Sequence, residues 1–443
     1  MALEQIPGAS LGYYLIAFDK HGRERTDDPD GGRFSRRALA DLSAQPFTDV
    51  FLLSHGWKGD VAAARDQCNR WIAAMLACPD DITRMRTLRP NFRPMLIGLH
   101  WPSLPFGDEE FGEGATAFDA TAMPSLDDLI ETYADRIADT PGARAALGTI
   151  FEAAIQESDP PVLPPPVVDA YRTLNREGGL GERHEGAPPG ADREPFDPEQ
   201  AYQNARASAG DDPQSFGGFS LSGLLAPLQQ LSFWQMKDRA RKFGESGGHD
   251  LLSRIQTSAP GARVHLMGHS FGCIVMSATV AGPPRRFALS RPVDTLFLAQ
   301  GALSLWSFCS RIQVGGGVPG YFRSIVADGR VGGVIAATTT AFDTAVGRFY
   351  PLGAGVARQV AFAAGELPKY GGLGTFGIQG PDTNADTIEM GRLDQAYGFT
   401  PGHTYNLVSD AYIRNGGGAS GAHNDIAHPE VAHAYWEAIL ARG

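Results

Sequence analysis

"RVHLMGHSFGCIVMSATVA", residues 263–281, starts as an apolar run of strand character and turns at Gly268-His269-Ser270-Phe271-Gly272. It continues as "CIVMSATVA", whose small residues at Ser277, Ala278 and Ala281 suit a packed helix. A serine between two glycines at a strand-to-helix turn is the setting of a G-x-S-x-G elbow. The spacing has a steric reason. A sharp turn forces the central residue into a strained backbone conformation and lifts its hydroxyl to the carboxyl edge of the sheet. Side chains two positions before and after would collide with the neighbouring strand and helix. Ser270 is therefore a candidate nucleophile.

Working outward, the same kind of apolar run recurs as "YYLIAF" (13–18), "DVFLLSH" (49–55), "PMLIGLHW" (94–101), "DTLFLAQ" (294–300), "GVIAATTT" (333–340) and "TYNLVSD" (404–410). Continuous rather than alternating apolarity predicts strands covered on both faces, hence a mostly parallel sheet flanked by helices and an α/β fold. Residues 102–230 interrupt the pattern. Leu126, Leu129, Ile130, Tyr133 and Ile137 give one amphipathic helix there. "DPPVLPPPVVDAY" (159–171) and "GGLGERHEGAPPGADREPFDP" (178–198) predict extended or mobile chain, and "LSFWQMKDRARKFGESGGHDLLSRIQ" (231–256) returns to helical spacing. The expected organisation is a core of residues 1–101 and 231–443 with 102–230 inserted as a cap or lid.

The net charge of −12 is unevenly placed. Between Pro102 and Gln230 there are 23 Asp/Glu against 7 Lys/Arg, and elsewhere 27 against 31. So acidic a segment repels phosphate backbones and anionic bilayers, which argues against nucleic acid and membrane surfaces as partners. No apolar run is long enough for a membrane span, and the start has no basic, signal-like segment, so a cytoplasmic location is expected. Four cysteines without C-x-x-C pairing read as buried thiols.

An acid and a base are expected after Ser270 in that order. Asp343, just past the run 333–340, suits the acid, with Asp410 as a turn-forming competitor. For the base, His423 lies in a Gly/Ser loop after the last strand. His428 precedes Pro429, a good first helical residue, and His433 lies on the face of the last helix. For an oxyanion, the backbone N–H groups of Trp57, in "LLSHGWKGD" (52–60), and of Phe271 are the candidates. His55, Gly56 and His269 border the site and are candidates for substrate binding. Phe106, Phe111, Phe216, Phe219, Phe233 and Trp234 line either an acyl pocket or the contact that docks the cap.

With "HGW", "GHSFG", "FDTAVGRFYPL" and "GAHNDI" in this order, residues 11–101 and 231–441 resemble the α/β-hydrolase-fold serine esterases and lipases. His55-Gly56-Trp57-Lys58 stands where many of these carry H-G-G-G. The resemblance implies acyl transfer from a small ester to water, with Ser270 as nucleophile, His423 as base and Asp343 orienting it, and with no metal or other cofactor. An acyltransferase using the same residues, or a binding protein on a hydrolase core, are the alternatives. The G-x-G-x-x-G matches at 315–320 and 372–377 lack the strand and helix that dinucleotide binding needs, and read as loops. The histidines at 423, 428 and 433 lack the spacing of a zinc motif.

Overall fold

All seven apolar runs form strands. The computed structural model describes residues 3–9, 11–26, 33–57, 60–103, 125–181, 184–208, 223–284, 289–350, 367–417 and 420–442. In it β1 (Glu4–Gln5), β2 (Gly12–Ala17), β3 (Asp49–Ser54), β4 (Pro94–His100), β5 (Arg263–His269), β6 (Val293–Ala299), β7 (Val331–Thr339), β8 (Ala385–Glu389) and β9 (Thr404–Val408) make one sheet. Their order is β1-β2-β4-β3-β5-β6-β7-β9-β8. Only β1 against β2 is antiparallel.

The parallel strands are covered on both faces because successive side chains point to opposite sides. Val50 and Leu52 of β3 face one core with α1 (Phe34–Ala44). Phe51 and Leu53 face the other, with Trp71 of α2 (Val61–Leu76) and Met85 of α3 (Pro79–Leu88). No helix among the described residues is long and apolar enough to cross a membrane.

Within the insertion lie α4 (Leu126–Arg136), α5 (Pro141–Gln156), α6 (Pro165–Glu177) and α7 (Pro198–Ser208). The helix expected over 126–137 is α4, and Ser125 and Asp128 close a reciprocal capping box at its start. The Pro-rich stretch 159–171 is not wholly extended, since α6 begins inside it. Pro165 and Pro166 occupy the first turn of α6, where their missing N–H would have no partner in any case.

These helices pack a core of their own, including Tyr133, Leu147, Ile150, Phe151, Tyr171 and Tyr202. That core also takes Leu228, Leu231 and Trp234 from α8 (Ala226–Phe243). The other end of α8 gives Met236, Ala240 and Phe243 to the main core, so this one helix belongs to both. Residues 184–197 are irregular, yet they are packed rather than loose: Asp192 and Arg193 are buried, and the Arg193 guanidinium lies 3.6 Å from the centre of the Trp234 ring. The buried Lys237 ammonium donates to both Asp192 oxygens at 2.7 and 2.6 Å and to the Tyr350 hydroxyl at 2.7 Å. Insertion, bridging helix and the chain just after Asp343 thus meet at one ion.

After α8 come a π-helical turn (Gly244–Gly248), α9 (His249–Ser258), α10 (Gly272–Ala281), α11 (Arg323–Ala327), a second π-helical turn (Ala345–Phe349), α12 (Leu373–Phe376) and α13 (Pro429–Leu440). His433 of α13 is buried. Its Nδ1 donates to Asp81 at 2.6 Å and its Nε2 to the Gln395 carbonyl at 3.0 Å, and Arg84 pairs with both Asp81 and Glu437. Asp81, His433 and Glu437 have metal-ligand chemistry, but an imidazole that donates through both nitrogens has no lone pair to give an ion. Burial works against the charged ring, yet the two acceptors outweigh it and hold the His433 pKa above its ordinary 6.5.

A raised folded value means a contribution to stability that is full below the unfolded pKa and lost as pH climbs through the folded one. Thermal stability is therefore expected to fall from about pH 6 upward through this group. His433→Gln should flatten that part of a calorimetric pH profile, and an unchanged slope would reject the assignment.

Candidate active site

Five neighbouring strands, β3, β5, β6, β7 and β9, bring their carboxyl ends together, and each delivers one part of the site. Ser270 follows β5 at φ +56°, in the left-handed region that non-glycine residues rarely enter. The flanking glycines are required by close approach. A Cβ on Gly268 would lie 2.3 Å from the Gly272 carbonyl oxygen, and one on Gly272 would lie 2.4 Å from that of Ser54 in β3. The serine backbone is pinned to the end of β6, with its N–H donating to Ala299 at 3.2 Å and its carbonyl accepting from Ala302 at 3.1 Å.

His423 comes from the loop between β9 and α13, and Asp343 from the end of β7. The His423 Nδ1 donates to Asp343 Oδ2 at 2.7 Å, and its Nε2 lies 2.8 Å from Ser270 Oγ. A carboxylate only accepts, so the proton sits on Nδ1 and Nε2 is left to accept from the serine hydroxyl. Ser270, Asp343 and His423 are all buried. Such a chain can take the hydroxyl proton onto imidazole and balance the resulting charge with a carboxylate.

Among the described residues, two further groups hold the Asp343 carboxylate. Its Oδ1 accepts from the Val346 N–H at 2.9 Å. The Gln300 amide, oriented so that its oxygen accepts from the Thr338 hydroxyl at 3.0 Å, donates to Asp343 Oδ2 at 2.8 Å and to the Gly374 carbonyl at 3.0 Å. Gln300, at φ +45°, follows β6 as Ser270 follows β5. Sequence reasoning missed it, although a polar residue closing an apolar run before a glycine was the available signal. The stretch 372–377 is not a surface loop as expected. It contains the single turn α12, with Leu373 and Gly374 buried and the Gly374 carbonyl accepting from the Thr340 N–H at 2.9 Å. Asp410 instead accepts from the Ala341 N–H at 2.9 Å, a turn contact, and His428 precedes α13 as expected while bonding Asp425.

The loop after β3 runs against the nucleophile, and a Cβ on Gly56 would come within 2.5 Å of Ser270 Cβ. The carbonyls of this loop are held from the far side. His55 O accepts from Trp101 Nε1 at 3.2 Å, and Gly56 O accepts from Ser103 Oγ at 3.1 Å and from His55 Nδ1 at 2.8 Å. In a trans peptide the N–H points opposite to its C=O, so fixing Gly56 O also fixes the direction of the Trp57 N–H. The Phe271 N–H stands at the N-terminal end of α10, where the helix dipole is positive. The Trp57 ring stacks on Phe271 at 5.5 Å, and Phe233 packs edge-on against Trp57 at 5.9 Å.

His55 and His269 turn inward, contrary to a substrate-facing role. The His55 Nε2 meets His100 Nδ1 at 3.1 Å, and burial holds its pKa down to about 4. Both nitrogens of His269 are likewise engaged by protein atoms. Of the aromatic candidates, Trp234 sits in the insertion's core and Phe233 against Trp57 and Phe271, while Phe106, Phe111, Phe216 and Phe219, like Lys58, lie outside the described residues. Cys273 is buried, with its thiol directed at the Gly268 carbonyl. No family model matches the chain, and no curated protein and no solved structure matches it.

Proposed function

We propose that the chain is a serine hydrolase of the esterase or lipase type, cleaving a small carboxylic ester through an acyl-enzyme on Ser270. The observation that carries this reading is the unbroken hydrogen-bonded chain from Ser270 through His423 to Asp343, with the serine held in a left-handed turn. Ser270 Oγ attacks the ester carbonyl as His423 Nε2 takes its proton. The same nitrogen returns that proton to the departing alkoxide, and the cycle repeats with water on the acyl-enzyme. Asp343 keeps the ring in the accepting tautomer and balances the imidazolium. The Trp57 and Phe271 N–H groups receive the developing oxyanion, aided by the positive end of α10.

The test is labelling with a fluorophosphonate probe, with the modified peptide located by mass spectrometry. Stoichiometric modification of Ser270, absent in Ser270→Ala, is the expected result. A folded protein that takes no label would overturn the reading. Product analysis with an added acceptor alcohol then separates hydrolysis from acyl transfer.

A further inference from the structure

Within that reading, we infer that His269 is a positioning residue which, together with Gln67 of α2, ties the backbone of the general base to the residue next to the nucleophile. His423 is borne on a loop, and Asp343 fixes the rotation of its ring, not the position of its backbone. The His269 Nε2 lies 2.9 Å from the His423 carbonyl oxygen, and its Nδ1 lies 2.7 Å from Gln67 Nε2. The proton positions follow from valence alone. A carbonyl only accepts, so Nε2 carries the hydrogen; in the neutral ring Nδ1 then accepts, and Gln67 must present its NH2.

Burial, with His423 alongside, holds the His269 pKa down to about 3, so the ring is neutral at working pH. The His269 and His423 rings lie 5.0 Å apart at 38°. A closed circuit results: Ser270 backbone, His269 side chain, His423 backbone, His423 side chain and back to Ser270 Oγ. The distance between nucleophile and base is thereby set through one adjacent residue and not through the whole loop. The His423 carbonyl selects this tautomer, and the Gln67 NH2 supports it by donating to Nδ1.

The experiment compares wild type, His269→Leu, His269→Gln and Gln67→Leu on a chromogenic p-nitrophenyl ester, beside the low-field NMR signal of the His423 Nδ1 proton. A misplacement of about 1 Å at a reacting group costs up to about 10²-fold. His269→Leu is expected to lose kcat on that scale with KM unchanged and to lose or broaden the low-field signal. His269→Gln, which keeps an N–H donor, should regain most of both, and Gln67→Leu should fall between. Unchanged kcat and signal in His269→Leu, or a His269→Gln no better than His269→Leu, would overturn the inference in favour of a packing role. Should His269→Leu fail to fold, the half-buried Gln67→Leu decides by the same readouts. If wild type takes no phosphonate label, the hydrolase reading fails by itself, and the low-field signal across the variants still decides the tether.

Discussion

Ser270→Ala is expected to lower kcat on the order of 10⁵- to 10⁶-fold while leaving the fold and substrate binding intact. The alanine methyl group occupies the Cβ position already present, so no new contact with Gly56 arises, and the left-handed backbone is retained by the bonds to Ala299 and Ala302. What disappears is the hydroxyl oxygen that lies 2.8 Å from His423 Nε2. Residual turnover would come from water, with the Trp57 and Phe271 N–H groups, the proposed oxyanion donors, still in place. A stopped assay with active-site titration checks this, and a decrease of less than about 10²-fold would show that Ser270 is not the acylated group.

Asp343→Asn is expected to cost about 10⁴-fold in kcat without loss of fold. The reason lies in its partners. The Val346 N–H requires an oxygen at the Oδ1 position, which directs the new NH2 toward His423 Nδ1 and Gln300. Gln300 can turn its amide. The imidazole must accept at Nδ1, moves its proton to Nε2 and points a hydrogen at Ser270 Oγ, where a lone pair is needed. Ser270→Ala combined with Asp343→Asn should be no worse than Ser270→Ala alone, as expected of residues that act as a unit. Additive losses would indicate separate roles.

The central strands and the turn at Ser270 were legible because fully covered parallel strands leave uninterrupted apolar runs, and because a left-handed serine between two close approaches admits only glycine on either side. The two strands not foreseen, β1 and β8, are edge strands: "EQ" and "ADTIE" are polar and partly exposed, so no run marks them. Asp343 and His423 could be placed by chain order and strand ends. Gln300, Gln67 and Ser103 could not, since their value lies in reaching backbone or side chains brought near only by the sheet order. The buried character of His55 and His269 was hidden for the same reason, as each ring finds its second partner on another strand, helix or loop.

The separate core of the insertion bears on how the chain is made. Asp49 of β3 pairs with Pro94 on one side and with Arg263 on the other, and every residue of the insertion's core lies between Tyr133 and Trp234. During synthesis the insertion is complete before β5 leaves the ribosome, and domains generally fold as units in that order. The growing chain therefore carries all the residues of that core beside a half-sheet whose β3 edge still awaits its partner, the kind of edge that recruits other chains. Ser270, Asp343 and His423 all emerge later, so no nascent fragment ending before β9 holds a complete set.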